Sequence, residues 1–135
     1  MDGAETEVQL HRAGQVTLDS SGNGVLTFDP QNARQRWEVS SVVVRTNQAA
    51  TATVVPVATV AKNTAVASQM SQANNRGSSW SGNQDVFAGS IDISAADYLS
   101  VIFGPPPGAT SPQIAALAGV ICYATVTGRA FTRRS

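Results

Sequence analysis

Runs of β-branched residues separated by turn-forming residues recur along most of this chain, and they constrain its fold more than any other feature. The run Trp37–Thr46, WEVSSVVVRT, is the clearest example. β-branched and aromatic side chains favour extended backbone, whereas Gly, Pro, Asn and Asp favour turns. Turn signals recur every ten residues or so, roughly the spacing of an antiparallel β-sandwich or jelly roll. We therefore predict an all-β fold of about seven to nine short strands, without an amphipathic helix.

Alternation within the run Trp37–Thr46 predicts how its side chains divide between the two faces of a strand. Strict alternation places four residues on one face: Trp37, Val39, Ser41 and Val43. It places Val42 and Val44 on the other, so that both faces carry apolar side chains. Such a strand either lies in the middle of its sheet or meets a partner on one face.

Turn-forming residues and one proline predict the neighbouring elements. Residues 15–28 hold two short alternating runs around DSSGNG, which predicts a β-hairpin. Pro56 interrupts a later β-branched run and cannot donate to a ladder, which predicts a sheet edge or a bulge. Residues 61–82 are small and polar, with a short strand predicted near 66–70. A long surface loop is predicted over residues 74–83, NNRGSSWSGN, and it carries Trp80, a further candidate assembly contact.

Three consecutive prolines follow one strand directly. Phe103 ends the apolar run, and Gly104 permits a sharp exit from it. Pro105, Pro106 and Pro107 favour a stiff polyproline II path without backbone donors. A preorganised segment of this kind loses little entropy on contact with a partner. We predict a rigid loop at the rim of the sandwich and candidate assembly contacts at these prolines.

Clustered charge is concentrated near the two termini. Glu5 and Glu7 make the beginning of the chain acidic, whereas Arg129, Arg133 and Arg134 make its end basic. One interpretation is two solvated, frayed ends. The alternative is that the ends join one copy to its neighbour or to a larger lattice. Nucleic-acid binding is not expected, because stacking aromatic residues do not alternate with these arginines.

We therefore divide the chain into three parts. Residues 1–14 are predicted to be an extended N-terminal arm, residues 15–131 a single β-sandwich domain, and residues 132–135 a basic tail. The domain is long enough to bury a sizeable core.

The residues that most enzymes need are scarce in this sequence. Cys122 is the only cysteine and His11 the only histidine, so neither an internal disulfide, a zinc site nor a serine–histidine–acid set is predicted. Asp85, Asp92 and Asp97 are conceivable calcium ligands, but their spacing fits no loop template and favours solvated turns and strand edges. We predict a protein that is not an enzyme and that has no cofactor or metal.

Charge is low, and this restricts the classes of protein to consider. Nine basic and nine acidic residues give a net charge of zero, and only 13% of residues are charged. This balance suits an assembly subunit that hides much of its surface, a poorly soluble monomer or a secreted domain coated with Ser and Thr. The acidic N-terminus lacks the apolar core of a secretory signal. The longest apolar stretch, Ile114–Val126, is too short to span a bilayer.

Three segments together resemble a known class of proteins. RWEVSSVVVRTN, GSIDISAADYLSVIFGPPPGA and AGVICYATVTGRAF are similar to segments of the small β-sandwich proteins of tailed-bacteriophage virions, over residues 25–131. Proteins of this class sit on the head, at the collar or along the tail. The resemblance implies a non-enzymatic structural role, often as a trimer or another symmetric cluster.

The leading hypothesis is a virion structural protein, either a capsid decoration or a minor capsid protein. Its expected partners are other copies of itself, with a trimer favoured, and the major capsid protein or other virion proteins. It would be assembled in the bacterial cytoplasm and reside in the virion, with no membrane partner. The alternatives are a tail or tail-tip component, and a jelly-roll module that binds host carbohydrate through Trp80.

Overall fold

The predicted all-β class is confirmed by the computed structural model, which describes residues 5–49, 52, 54–63, 76–79 and 84–133. Eight strands and one short helix lie in this part of the chain, within the predicted number of strands. The elements are β1 Glu5–Thr17, β2 Gly24–Phe28, β3 Gln35–Thr46, β4 Val57–Lys62, β5 Arg76–Ser79, β6 Gln84–Ile93, β7 Leu99–Gly104, α1 Ser111–Leu117 and β8 Ile121–Arg133.

The strands form two four-stranded antiparallel sheets that pack as a sandwich. One sheet, the long sheet, has the order β1-β8-β3-β6, and the other, the short sheet, has the order β2-β7-β4-β5. Strands of the long sheet have 10 to 13 residues, whereas those of the short sheet have 4 to 6. The helix α1 is too short to cross a membrane, and the described residues include no other helix.

Apolar side chains from both sheets fill the space between them. Trp37 of β3 and Phe103 of β7 are the largest fully buried side chains. Leu99, Val101 and Phe103 share the inner face of β7, as period-two alternation predicts. Burial of these side chains is the main favourable term in the stability of such a sandwich.

A bulge in β3 changes which of its side chains face the core. Its pairing with both neighbours shifts between Val39 and Ser41, so one residue is inserted into the regular alternation. Trp37 and Val39 are buried before the bulge, and Val42 and Val44 are buried after it. The predicted grouping is therefore wrong for this strand: Val42 and Val44 share the core face with Trp37 and Val39, and Val43 is left on the outer face. Its central position, between β8 and β6, is confirmed.

Gly128 of β8 lies opposite the bulge. A side chain there would clash with the carbonyl oxygen of Glu38, and its Cβ would lie 2.9 Å from the Cα of Val39. Beside it, the hydroxyl groups of Ser41 and Thr127 are 2.6 Å apart and share a hydrogen bond. The two backbones thus approach more closely than any residue with a Cβ permits.

The hairpin predicted over residues 15–28 is wrong, because β1 and β2 belong to different sheets. The carboxylate of Asp19 accepts hydrogen bonds from the backbone N–H groups of Ser21 and Asn23, at 2.8 and 3.0 Å. Gly22 adopts a φ of 78°, which favours glycine. The predicted turn residues do form a turn, but this turn carries the chain from the long sheet to the short sheet.

The predicted terminal arms are mostly parts of the long sheet. Residues 5–14 belong to β1, and residues 132 and 133 end β8. The two strands pair from Glu5 opposite Arg133 onwards. Leu10 anchors β1 to the domain, because its side chain enters the core and is only 1% exposed, and Val16 packs against the same core.

The helix α1 contradicts the prediction that the chain has no amphipathic helix. The Thr110 hydroxyl accepts a hydrogen bond from the Gln113 N–H at 3.4 Å, and the Gln113 side chain accepts one from the Thr110 N–H at 2.8 Å. This reciprocal pair is a capping box, and a proline in the first turn adds to it. Leu117 anchors the helix in the core.

Replacement of Gly128 by alanine tests the close approach at the bulge. We expect Gly128→Ala to lower the free energy of unfolding by about 1–3 kcal/mol, because two backbones must separate to admit the methyl group. Urea unfolding measures this change. Gly104→Ala is the matched control, since its Cβ would meet only the side-chain oxygen of Asn23, at 3.1 Å. Equal effects of the two substitutions would contradict the role of the bulge.

Candidate assembly surface

Glu5, Glu7 and Arg129, all predicted as assembly contacts, lie together on the outer face of the long sheet. With Arg36 and Glu38 they form a group that we call the charged cluster. Antiparallel pairing of β1, β8 and β3 brings the acidic beginning of the chain beside its basic end.

Each arginine of the charged cluster joins two carboxylates. Arg36 donates to both oxygens of Glu5 at 3.0 and 3.1 Å, and to Glu38 at 3.1 Å. The bond to Glu5, followed by the bond to Glu38, raises the pKa of the Arg36 guanidinium. Arg129 donates to Glu38 at 3.1 Å and lies 3.9 Å from Glu7. Three carboxylates are thus held by two guanidiniums within one chain, and these exposed pairs organise the side chains along the sheet more than they stabilise the fold.

The aromatic ring of Phe131 adds a second contact to the charged cluster. The guanidinium carbon of Arg36 lies 4.2 Å from the ring centroid, and that of Arg129 lies 5.8 Å away. Cation–π attraction therefore holds both side chains along the sheet. Arg133 is exposed at the end of β8, and Trp80 and Arg134 lie outside the described residues.

The three prolines predicted as a rim loop connect β7 to α1. Pro105 and Pro106 are half-buried, and Pro107 is exposed. A Cβ added at Gly22 would lie 3.3 Å from Pro105 Cγ and from Leu117 Cβ. The loop thus packs against the turn between β1 and β2 and closes one end of the sandwich, which leaves Pro107 as the proline open to a partner.

Two of the three aspartates weighed as calcium ligands, Asp92 and Asp97, have different surroundings. Asp92 lies opposite Glu38 on the outer face of the long sheet, whereas Asp97 holds the turn between β6 and β7. The carboxylate of Asp85 lies outside the described side chains. Among the described residues, no group of three or more His, Cys, Asp or Glu side chains is placed to hold a metal ion.

Asp97 has a structural role in its turn. Asn63 donates to it at 2.9 Å, and the backbone and hydroxyl of Ser94 donate at 3.0 and 2.9 Å. Lys62 lies 3.5 Å away. These contacts, led by the bond from Asn63, hold the pKa of Asp97 well below its usual range.

Cys122 lies in the core on the inner face of β8. Burial raises the pKa of its thiol to about 12. The thiolate is the reactive form of cysteine, so this group is a packing residue and not a nucleophile in the folded protein.

An uncharged region crosses three strands in the middle of the same outer face. Thr125 of β8 pairs with Val43 of β3, which pairs with Val86 of β6, and the hydroxyl pair Ser41 and Thr127 lies beside them. We call these five residues the central patch. Val86 is 43% exposed, although it is apolar. The patch was missed because uninterrupted alternation groups Val43 with the buried Trp37, and only the bulge turns Val43 outward.

Comparison with known proteins adds no assignment. No protein-family model matches the chain, and no curated protein matches it as a relative.

The hydrogen bonds to Asp97 predict how the free energy of unfolding depends on pH. A carboxylate with a lowered pKa stabilises the fold above the ordinary aspartate value, about 4, and this stabilisation is lost as the pH falls further. We expect urea unfolding of the wild-type protein to become easier from about pH 5 to pH 2, with a smaller change in Asp97→Asn. Asn63→Ala removes the hydrogen bond that lowers the pKa of Asp97 most, so the stability of this variant should also change less between pH 5 and pH 2. Identical pH profiles for all three proteins would contradict this role.

Proposed function

We propose that this chain is a non-enzymatic structural protein of a tailed-bacteriophage virion, most simply a capsid decoration or minor capsid protein. The resemblance of residues 25–131 to small virion β-sandwich proteins supplies the class of particle. The central patch is the observation that carries the proposal, because it gives the sandwich a surface suited to another protein. In this proposal the protein acts in the virion after assembly in the bacterial cytoplasm.

The chemistry of the central patch suits contact with a second folded protein. Valine and threonine methyl groups lose little solvation energy when covered, whereas the charged cluster beside them would be costly to bury. One hydroxyl of the Ser41–Thr127 pair donates to the other, so only one of their two O–H donors needs an acceptor from the partner when the patch is covered. Paired charges around an apolar centre are also the usual arrangement of a protein interface.

The flanks of the patch are ordered in a way that fits docking. The charged cluster lies towards one end of the sheet, and towards the other Arg45 lies over the ring of Tyr123 at 4.5 Å. Both flanks are held by contacts within the chain, so little side-chain entropy is lost when a partner arrives. In the proposed assembly, the long sheet lies with its outer face against major capsid subunits and strengthens the contacts between them.

Substitution of one valine in the patch and of one outside it tests this docking. We expect Val43→Lys to weaken binding to particles assembled without this chain by at least about tenfold, because a charge must then be buried. Val25→Lys, on β2 of the short sheet, is the matched control and should bind normally, since Val25 is 38% exposed on a different face. Co-sedimentation with the particles measures both.

Three results would contradict the proposal. Equal binding by wild type and Val43→Lys would remove the patch from the interface. Binding to purified tails but not to heads would favour a tail component. Failure to bind any part of the particle, with binding to host cell-wall polysaccharide instead, would favour the carbohydrate-binding alternative.

A further inference from the structure

Among the strands that the structure describes, β1 is an edge strand of the long sheet, and its hydrogen bonds show which of its residues face β8. At its end, the Leu18 N–H donates to the Val120 carbonyl at 2.9 Å, and the Leu18 carbonyl accepts from the Gly119 N–H at 3.0 Å. Even-numbered residues of β1 therefore bond towards β8. Because an antiparallel ladder alternates, odd-numbered residues direct their N–H and C=O groups to the free edge. These residues are Glu5, Glu7, Gln9, His11, Ala13, Gln15 and Thr17, and all are exposed.

Independent hydrogen bonds support this assignment. On the other side of β8, odd-numbered residues form hydrogen bonds towards β3. The Arg133 N–H donates to the Arg34 carbonyl at 2.9 Å, and the Ile121 carbonyl accepts from the Asn47 N–H at 3.0 Å. On β1 itself, the Arg12 guanidinium reaches around the edge to the carbonyl of His11, at 3.2 Å. That carbonyl must therefore point away from β8.

The edge of β1 carries few of the features that usually block strand addition. It is 13 residues long, contains no proline, and pairs with β8 without a register shift from Glu5 to Thr17. Native edges of this length are usually shortened, bulged or covered. Arg12 is the one charged residue of β1 whose side chain lies on the core side of the sheet. Its guanidinium uses one lone pair of the His11 carbonyl oxygen, and the second lone pair remains available to another strand.

The charge pattern of β1 is compatible with a second copy in antiparallel orientation and disfavours the in-register parallel orientation. Full overlap of two antiparallel β1 strands places His11 on a two-fold axis. Glu5 then lies opposite Thr17 of the second copy, and Glu7 lies opposite Gln15, so no carboxylate faces another. A parallel pairing would place each glutamate beside its equivalent, and like charges directly opposite one another destabilise a sheet.

From this geometry we infer that two copies of the chain pair through β1, which joins their long sheets into one continuous antiparallel sheet. In this register each of the seven odd-numbered residues lies opposite an odd-numbered residue of the other copy. Their backbone N–H and C=O groups therefore face each other and can form the hydrogen bonds of an antiparallel ladder. The contact is isologous, so it closes with two subunits. It differs from the trimer expected from the resemblance, and it leaves the outer face of each long sheet accessible.

Substitution of a β1 residue by proline tests the pairing between two copies and leaves the hydrogen bonds between β1 and β8 intact. The N–H of Ala13 points to the free edge, so Ala13→Pro removes no bond to β8 but removes one from each side of the dimer. We expect light scattering to give the wild type about twice the chain mass of 14.0 kDa. Ala13→Pro should raise the dissociation constant at least about 100-fold. Ala13→Thr, which keeps the N–H, should remain a dimer.

A second pair of variants tests the register and does not depend on proline. His11→Lys places two ammonium groups opposite each other on the axis, whereas His11→Gln places two neutral amides there. We expect the lysine variant to dissociate and the glutamine variant to stay paired, with unfolding curves that show both folded. A wild-type monomer at every concentration, a wild-type trimer, or a dimer unaffected by both Ala13→Pro and His11→Lys would overturn the inference.

Discussion

The close contact between the backbones of β3 and β8 at Gly128 is the constraint on which the rest of the sandwich depends. The inserted residue of β3 reverses its alternation at this point. Trp37 and Val39 can therefore share one core with Val42 and Val44. Without the reversal, one of these pairs would face solvent and the two sheets would lose a large part of their common apolar surface.

The same reversal also determines what the molecule shows to a partner. It leaves hydroxyl and small apolar side chains in the middle of the outer face, while the charges of both chain ends pair beside them. The long sheet thus has two surfaces of different chemistry. Its outer face offers side chains, which suit a different protein, and its β1 edge offers backbone groups, which suit another strand. The two surfaces lie on different sides of the long sheet in the part of the chain that the structure describes, so pairing through β1 would leave the outer faces exposed.

Regular strands could be predicted from the sequence, because their alternation is uninterrupted. The buried face of β7 and that of β8 around Cys122 both follow period two. The bulge could not be predicted, since it depends on the close approach of Val39 and Gly128, which are distant in sequence. The helix α1 was predictable in principle from Thr110, Pro112 and Gln113, but its short capping box lies beside an apolar run that favoured a strand.

Local signals identified turns but not the sheets that they connect. Turn residues around Asp19 fit a hairpin and a crossing between sheets equally well, because both need the same backbone geometry. Similarly, acidic and basic termini were visible as charges, but their mutual pairing depends on β1 and β8 being neighbours. The proline loop was predicted at the rim, and it lies there because Pro105 packs against the turn at Gly22.

Thiol accessibility at two neighbouring positions tests the reversal of β3 most directly. Val42→Cys and Val43→Cys, each in a chain that carries Cys122→Ala, can be treated with a water-soluble maleimide. We expect the folded Val43→Cys protein to react readily, whereas Val42→Cys should react only after unfolding. Protection of Val43→Cys together with rapid reaction of Val42→Cys would mean that alternation continues through Ser40 and that β3 has no reversal.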